Sequence, residues 1–374
     1  MKNKVILFLL VAVIVMLIVP GINLTLHFVS RYKDRLWGLS LTKNKVWAWN
    51  KSVLYNVNFI QPVLSGLLYP FGISTDAPQI IIGKNDWLYL GDAHAKTITV
   101  KRTHTTAINS EMAKNIGLAT TAWAQWLKQH GVQSYRIMLV ADKDSIYPEY
   151  LPNWVQPVTD YATNTLLANV SPEIYIDTRA ILKNSKLNFS QPLYYKTDTH
   201  WNNLGAWIAF QHFMEKQDQN ERLTIPQMAA ISASPCDGGD LGRFLKISKL
   251  LSDTEVTLDM INPKPIDVEK YDFDTGQLLG AGGNAPVPMS HVPLLIKSKN
   301  ALNQKKVLWL RDSFGDAVSP LMAATFSEVL QLHYEVVDSK RFAQLVNTFK
   351  PDYVFVTVVE REAFSANFSN YPPP

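Results

Sequence analysis

The chain has 374 residues, 47% of them hydrophobic and 18% charged, which is apolar material enough for a large core and excludes disorder along the main body. The formal charge of +4 is small for this length, and no basic run carries interleaved aromatics, so nucleic acid is excluded as a partner. One cysteine, Cys236, rules out an intramolecular disulfide and speaks against a thiolate zinc centre. In its polar loop context it reads as a leftover thiol rather than a nucleophile.

The N-terminus opens Met1-Lys2-Asn3-Lys4 and continues from Val5 to Val19 without a polar residue, with no charge before Arg31. That length predicts a transmembrane segment over residues 1–30. The two leading lysines place the N-terminus in the cytoplasm and the remainder outside it, in the periplasm of a bacterial inner-membrane protein. A cleaved signal peptide is the rival, although Val19-Pro20-Gly21 is a weak cleavage pattern. Over residues 31–77, Trp37, Trp47, Trp49, Tyr55 and Phe59 are interspersed with Lys and Arg. This predicts a juxtamembrane helical stalk, or short amphipathic helices lying along the membrane interface.

A globular domain is expected over 78–365, followed by a tail over 366–374. Gln79–Gly83 and Trp87–Leu90 read as a hairpin around Lys84-Asn85-Asp86. Ser110 to His130 has helical periodicity and ends at Gly131. Arg136–Val140 is an apolar run of the buried parallel kind, Ile174–Asp177 is the next strand, and Leu204–Met214 is a helix. Residues 222–300 are rich in proline and glycine and predict an irregular insertion of loops or small strands. The remaining pattern is strand 306–310, helix 316–326, strand 329–337, helix 339–349 and strand 353–359. Such alternation predicts an α/β fold, a parallel sheet flanked by helices on both faces.

Two short stretches carry chemistry. In Lys196-Thr197-Asp198-Thr199-His200-Trp201, an extended backbone would turn Asp198 and His200 to the same side. The carboxylate would then take the imidazole Nδ1 proton and leave Nε2 as a base, with Trp201 walling the pocket. A purely structural role for Asp-x-His is the alternative. In Trp309-Leu310-Arg311-Asp312-Ser313-Phe314-Gly315, Ser313 falls at a strand-to-helix turn, the edge where open α/β sheets place reactive groups. Backbone N–H groups at such a helix start stabilise an oxyanion. The alternative there is a serine capping the helix. Taken together, the two stretches supply a nucleophile, a base and an orienting group.

With these motifs the chain resembles the SGNH-hydrolase-like family of AlgX and AlgJ, alginate and related exopolysaccharide O-acetyltransferases. The matching text is Gly83–Tyr89, Lys143–Pro152, Tyr194–Trp201, Gly239–Arg243 and Leu310–Phe314, in the family's order and spanning roughly residues 79–362. No separate carbohydrate-binding module follows, so the AlgJ-like arrangement is the closer one. The resemblance implies an acetyltransferase with Ser313 as nucleophile, His200 as base and Asp198 as its partner, and it requires no metal or organic cofactor. It implies a polysaccharide acceptor (alginate-like, capsule or cellulose-like) and a membrane-bound O-acyltransferase as acetyl donor. Tyr195 and Trp201, with Arg311, Lys143 and Arg361 as sources of positive charge, are the candidate substrate-binding residues; for each of the three cations a structural ion pair is the alternative. The Gly and Asn blocks of ordinary SGNH esterases are not recognisable. An acetylesterase with the same triad and a non-catalytic scaffold of an export complex are the competing functions.

Overall fold

The computed structural model describes residues 13, 16–18, 20–25, 60–99, 107–155, 162–216, 223–261 and 264–373. Two compact units emerge, Met1–Phe71 and Gly72–Pro374. The first contains the helix Gln61–Leu68 and the 3-10 turn Tyr69–Phe71. The segment expected to cross a membrane lies largely outside the described residues, and Trp37, Trp47, Trp49, Tyr55 and Phe59 lie wholly outside them. Among the described residues, no helix is long and apolar enough to cross a membrane.

The second unit is built on an eight-stranded sheet, preceded by the hairpin β1 (Ile80–Ile82) and β2 (Leu88–Leu90). Asn85 and Asp86 carry the positive φ angles that close that hairpin, and Asn and Asp tolerate this conformation better than most residues. Five strands of the large sheet are parallel and run in the order β4 (Tyr175–Asp177), β3 (Ser134–Val140), β12 (Tyr353–Val359), β10 (Asn303–Arg311) and β11 (Phe326–His333). The sheet then continues through β9 (Leu294–Lys299), β7 (Asp267–Asp272) and β8 (Leu278–Gly283), all antiparallel to their neighbours.

The sheet is therefore mixed, which corrects the all-parallel expectation. The added strands come from the proline- and glycine-rich stretch. β8 reads Leu-Leu-Gly-Ala-Gly-Gly at the edge and has no apolar alternation to give it away. The same stretch supplies a separate antiparallel ribbon, β5 (Gln227–Asp237) with β6 (Ser252–Ile261). The strand expected over 329–337 starts earlier and stops at His333, where the 3-10 turn Tyr334–Val336 takes over.

Alternation along the central strands explains the layers. Met138, Val140, Val307, Trp309, Tyr353 and Phe355 face one core, and Ile137, Leu139, Leu308, Leu310, Val354 and Val356 face the other. Against the first core pack the helices α2 (Asn203–Glu215) and α3 (Gly315–Thr325), through Phe210, Phe213, Val318 and Leu321. On the opposite face lie α1 (Ala107–Gln129) and α4 (Ser339–Phe349), through Ile116, Leu127, Leu345 and Phe349. Helices on both faces leave the C-terminal ends of β3, β12 and β10 side by side, and the loops that follow them converge there.

Candidate active site

At the end of β10 the chain turns through Asp312-Ser313-Phe314 into α3. Asp312 is buried and fixes this turn. Its carboxylate accepts from the backbone N–H of Phe314 at 3.0 Å and from that of Val359, at the end of β12, at 2.8 Å. Burial pushes the Asp312 carboxyl up to about 6, against the pull of these donors and of Arg361. Ser313 itself is half-buried and does not cap α3, whose cap position is Phe314. Its Oγ lies 2.8 Å from His200 Nε2.

His200 and Asp198 do not lie on an extended strand as expected. They occupy a tight loop closed by an antiparallel bridge between Tyr194 and Trp201, and Asn202 caps α2 immediately afterwards. Within the loop, Asp198 Oδ1 is 2.7 Å from His200 Nδ1 and also accepts the His200 backbone N–H at 3.1 Å. Asp198 Oδ2 accepts the Asp240 N–H at 2.7 Å. Gly239 lets that segment come so close, because a Cβ there would run into the Asp198 carboxylate. Trp201 is buried and donates its indole N–H to the Phe314 carbonyl at 3.0 Å, tying the His loop to the Ser turn.

The three positive groups named as substrate-binding candidates are turned inward, which corrects that assignment in favour of the structural role that was its alternative. Lys143 is buried and donates to the carbonyls of Tyr195, Lys196 and Asp198 at 3.1, 3.0 and 2.6 Å. It lies over the rings of Trp87 and Tyr89, and burial brings it down to about 8 despite nearby carboxylates. Arg311 is fully buried, held by Gln331, Asp316 and the Val287 carbonyl. Arg361 pairs with the buried Asp142. Each cation stiffens the scaffold where a bare charge would be costly. Replacing Lys143 with Met is expected to strip the donor from three carbonyls of the His loop. The loss should be about 3 kcal/mol of stability, measurable as a lower midpoint in urea unfolding.

Several groups at the site were not assigned a role from the sequence. Asp240 starts the short helix Asp240–Phe244, and its carboxylate accepts the Thr199 N–H at 2.7 Å and lies 3.6 Å from His200 Nδ1. Asp253, on β6, accepts from the N–H groups of Lys196 and Thr197 and from the Thr197 hydroxyl. Glu255 takes the Tyr195 hydroxyl at 2.9 Å. The Gly239–Arg243 block carried a sequence signal. The two β6 acids carried none, because their proximity depends on how the β5–β6 ribbon folds over.

The electrostatics follow from these contacts. Burial works against ionising Asp198, yet the His200 hydrogen bond and charge, with two backbone N–H donors, hold its carboxyl well below the usual range. Burial also penalises the imidazolium, but the hydrogen bond and charge of Asp198, with Asp240 adding, hold His200 above its ordinary value. A base must be neutral to take a proton, so activity is expected to fall on acidification with a midpoint above ~6.5. Replacing Asp240 with Asn removes a charge that favours the imidazolium, and the acid limb of a pH–rate profile should then move to lower pH.

Asp198, His200 and Asp240 are the one group among the described residues whose ligating atoms cluster tightly enough for a metal, all within 4.8 Å. Those atoms already satisfy one another through the Nδ1 and N–H bonds above, so a cation would have to displace them. Around Ser313 opens a groove of about 470 Å³ whose walls include Tyr195, Trp201, Cys236 and Arg243. Cys236 lies on β5, where burial and then the charges of Asp253 and Glu255 push its thiol up, away from the reactive thiolate.

A serine at a strand-to-helix turn, linked to a histidine and a carboxylate, thus lies at the C-terminal edge of an α/β sheet of SGNH-like fold. Residues 80–289 match the family described as "SGNH hydrolase-like domain, acetyltransferase AlgX", and the chain belongs to that family. Asp198 and His200 fall within the matched stretch and Ser313 beyond it. A probable alginate O-acetylase, AlgJ of Pseudomonas putida KT2440, is 25% identical over 225 residues, 57% of this chain and 54% of that protein. The chain thus spans about half the length of this curated relative. Among solved structures, PatB1 of Bacillus cereus has a TM-score of 0.55 at 17% identity, covering 77% of this chain and 98% of its own. A DHHW family protein from Eubacterium siraeum has 0.56 at 16%, covering 81% and 98%. These two likenesses concern the fold alone.

Proposed function

We propose that this chain transfers an acetyl group through Ser313 to a hydroxyl of an exported polysaccharide. The observation that carries this is the unbroken chain from Ser313 Oγ to His200 Nε2 and from His200 Nδ1 to Asp198, opening on a groove. As Ser313 Oγ attacks the acetyl carbonyl carbon, its proton passes to His200 Nε2. The tetrahedral oxyanion collapses, the donor's leaving group departs with that proton, and Ser313 holds the acetyl ester. In the second half, His200 takes the proton of the acceptor hydroxyl as its oxygen attacks the ester carbon. Ser313 Oγ then leaves and recovers the proton. Asp198 holds the ring in the tautomer that presents Nε2 and stabilises the imidazolium. Among the described residues no acceptor takes the Ser313 N–H, and it is our candidate oxyanion donor.

The same proposal places the enzyme in the cell envelope. The uncharged run after Lys2 and Lys4 supports an anchor in the bacterial inner membrane with the catalytic unit in the periplasm. Acetyl-CoA is a cytoplasmic thioester, so the donor on the outer side is a membrane-bound O-acyltransferase that passes acetyl groups outward.

The test is incubation of the full chain with p-nitrophenyl acetate, with and without oligosaccharide acceptors, followed by mass spectrometry. Acetylated oligosaccharide that depends on Ser313 is the expected product. Acetate release that no acceptor diverts would make the protein an esterase, and a Ser313→Ala protein that acetylates sugar normally would overturn the proposal.

A further inference from the structure

We infer that the groove receives an uncharged, hydroxyl-rich glycan and discriminates against polyuronates. This rests on the acetyl-transfer function proposed above and specifies its acceptor.

The inference starts from the charges that face the groove. Its described walls include five carboxylates, Asp198, Asp237, Asp253, Glu255 and Asp316, of which Asp253 is buried, against the Arg243 guanidinium and the His200 ring, which Asp198 and Asp240 favour in its charged form. Arg243 is largely exposed and lies 4.0 Å from Asp198, so even this cation sits beside an acid. The cations that would receive an anionic sugar are committed elsewhere. Lys143 is occupied with backbone carbonyls, Arg311 lies under the floor against Asp316 and Gln331, and Arg361 is held by Asp142.

A second hollow of about 590 Å³ adjoins the first and shares Ala317 with it. The only charged residue in its described lining is again an acid, Asp259; the polar remainder includes Asn203, Asn284 and Thr257. The two hollows meet at Ala317, and, set among apolar residues such as Pro226, Met260 and Leu321, the polar part of their lining is amide, hydroxyl and carboxylate. Such groups hydrogen-bond neutral sugar hydroxyls, an ionised carboxylate being a pure acceptor with several lone pairs. A polyuronate brings one negative charge per sugar into the same space and is repelled. Glu255 and Asp253 are held by neutral donors, the Tyr195 hydroxyl and loop N–H groups, and keep their charge, whereas Asp237 and Asp316 are offset by Lys249 and Arg311. The negative charge that remains disfavours an anionic polymer and needs no cationic ligand.

The deciding experiment measures binding to the full-length Ser313→Ala protein, which cannot turn over, by calorimetry at low and at moderate salt. The probes are a neutral β-glucan, a mannuronate and a glucosamine oligosaccharide of equal length. The neutral glycan should bind, the mannuronate at least about tenfold more weakly, and the gap should narrow as salt screens the repulsion. In the background of Asp237→Asn with Glu255→Gln, the gap should also shrink. Equal or tighter mannuronate binding, tightest binding of the glucosamine chain, or binding of none of the three would overturn the inference.

A parallel measurement on the wild-type protein keeps the two ideas separate. If acetyl-Ser313 forms and is passed only to mannuronate, the inference fails while acetyl transfer stands. If no acetyl ester forms, acetyl transfer fails, and the binding comparison still decides which glycan the groove prefers.

Discussion

Replacing Ser313 with Ala is expected to lower Ser313-dependent turnover of p-nitrophenyl acetate by about 10⁴-fold or more, to the level of the uncatalysed reaction plus simple binding. The methyl group keeps the turn but removes the oxygen that His200 Nε2 reaches, 2.8 Å away. His200→Ala should cost a similar factor, because the hydroxyl then has no base to take its proton. The double variant should be little worse than either single one, since the two residues act as a unit. Intact-protein mass spectrometry gives the direct check: an added acetyl group on the wild type during turnover, and none on Ser313→Ala. Folding is not at stake, because the turn is held by Asp312 and Trp201 rather than by the hydroxyl. Equal melting temperatures should confirm this.

Asp198→Asn carries the second large effect, about 10³- to 10⁴-fold in kcat. The amide can present its NH₂ to His200 Nδ1, which would move the ring proton to Nε2 and leave Ser313 facing a donor instead of a base. Asp240 lies 3.6 Å from the same ring nitrogen and holds the loop through the Thr199 N–H, a contact that its Asn variant can preserve through the side-chain oxygen. Asp240→Asn is therefore expected to cost only about tenfold. Comparing the two variants separates the carboxylate that orients the ring from the one that adds charge to it. Equal losses would mean that the two acids share the role.

The central alternation of strand and helix was legible because β3, β10 and β12 are buried on both faces and read as near-continuous apolar runs. Asp198, His200 and Ser313 could be picked out because each sits in a short local motif. What escaped was set by long-range placement. Strand β8 pairs at the sheet edge, where glycine is tolerated, so its sequence does not look like a strand, and β7 and β9 lie within a stretch whose prolines and glycines read as irregular. The positive residues near the motifs suggested substrate binding, since charge is visible in a sequence and burial is not. Lys143 is 55 residues from the carbonyl of Asp198 that it holds, and Arg361 is 219 from Asp142. Asp253 and Glu255 reach the site only because the β5–β6 ribbon returns to it.

Among the described residues, the strand that lies between β3 and β10 is also the last strand in chain order. Until residues 353–359 emerge, β10 lacks one of its two neighbours and the Asp312 carboxylate lacks the Val359 N–H that helps fix the serine turn. Synthesis proceeds from the N-terminus, so the turn that carries Ser313 gains this support only after residues 353–359 have been made. A chain interrupted before residue 353 lacks a central strand and leaves the serine turn without one of its anchors.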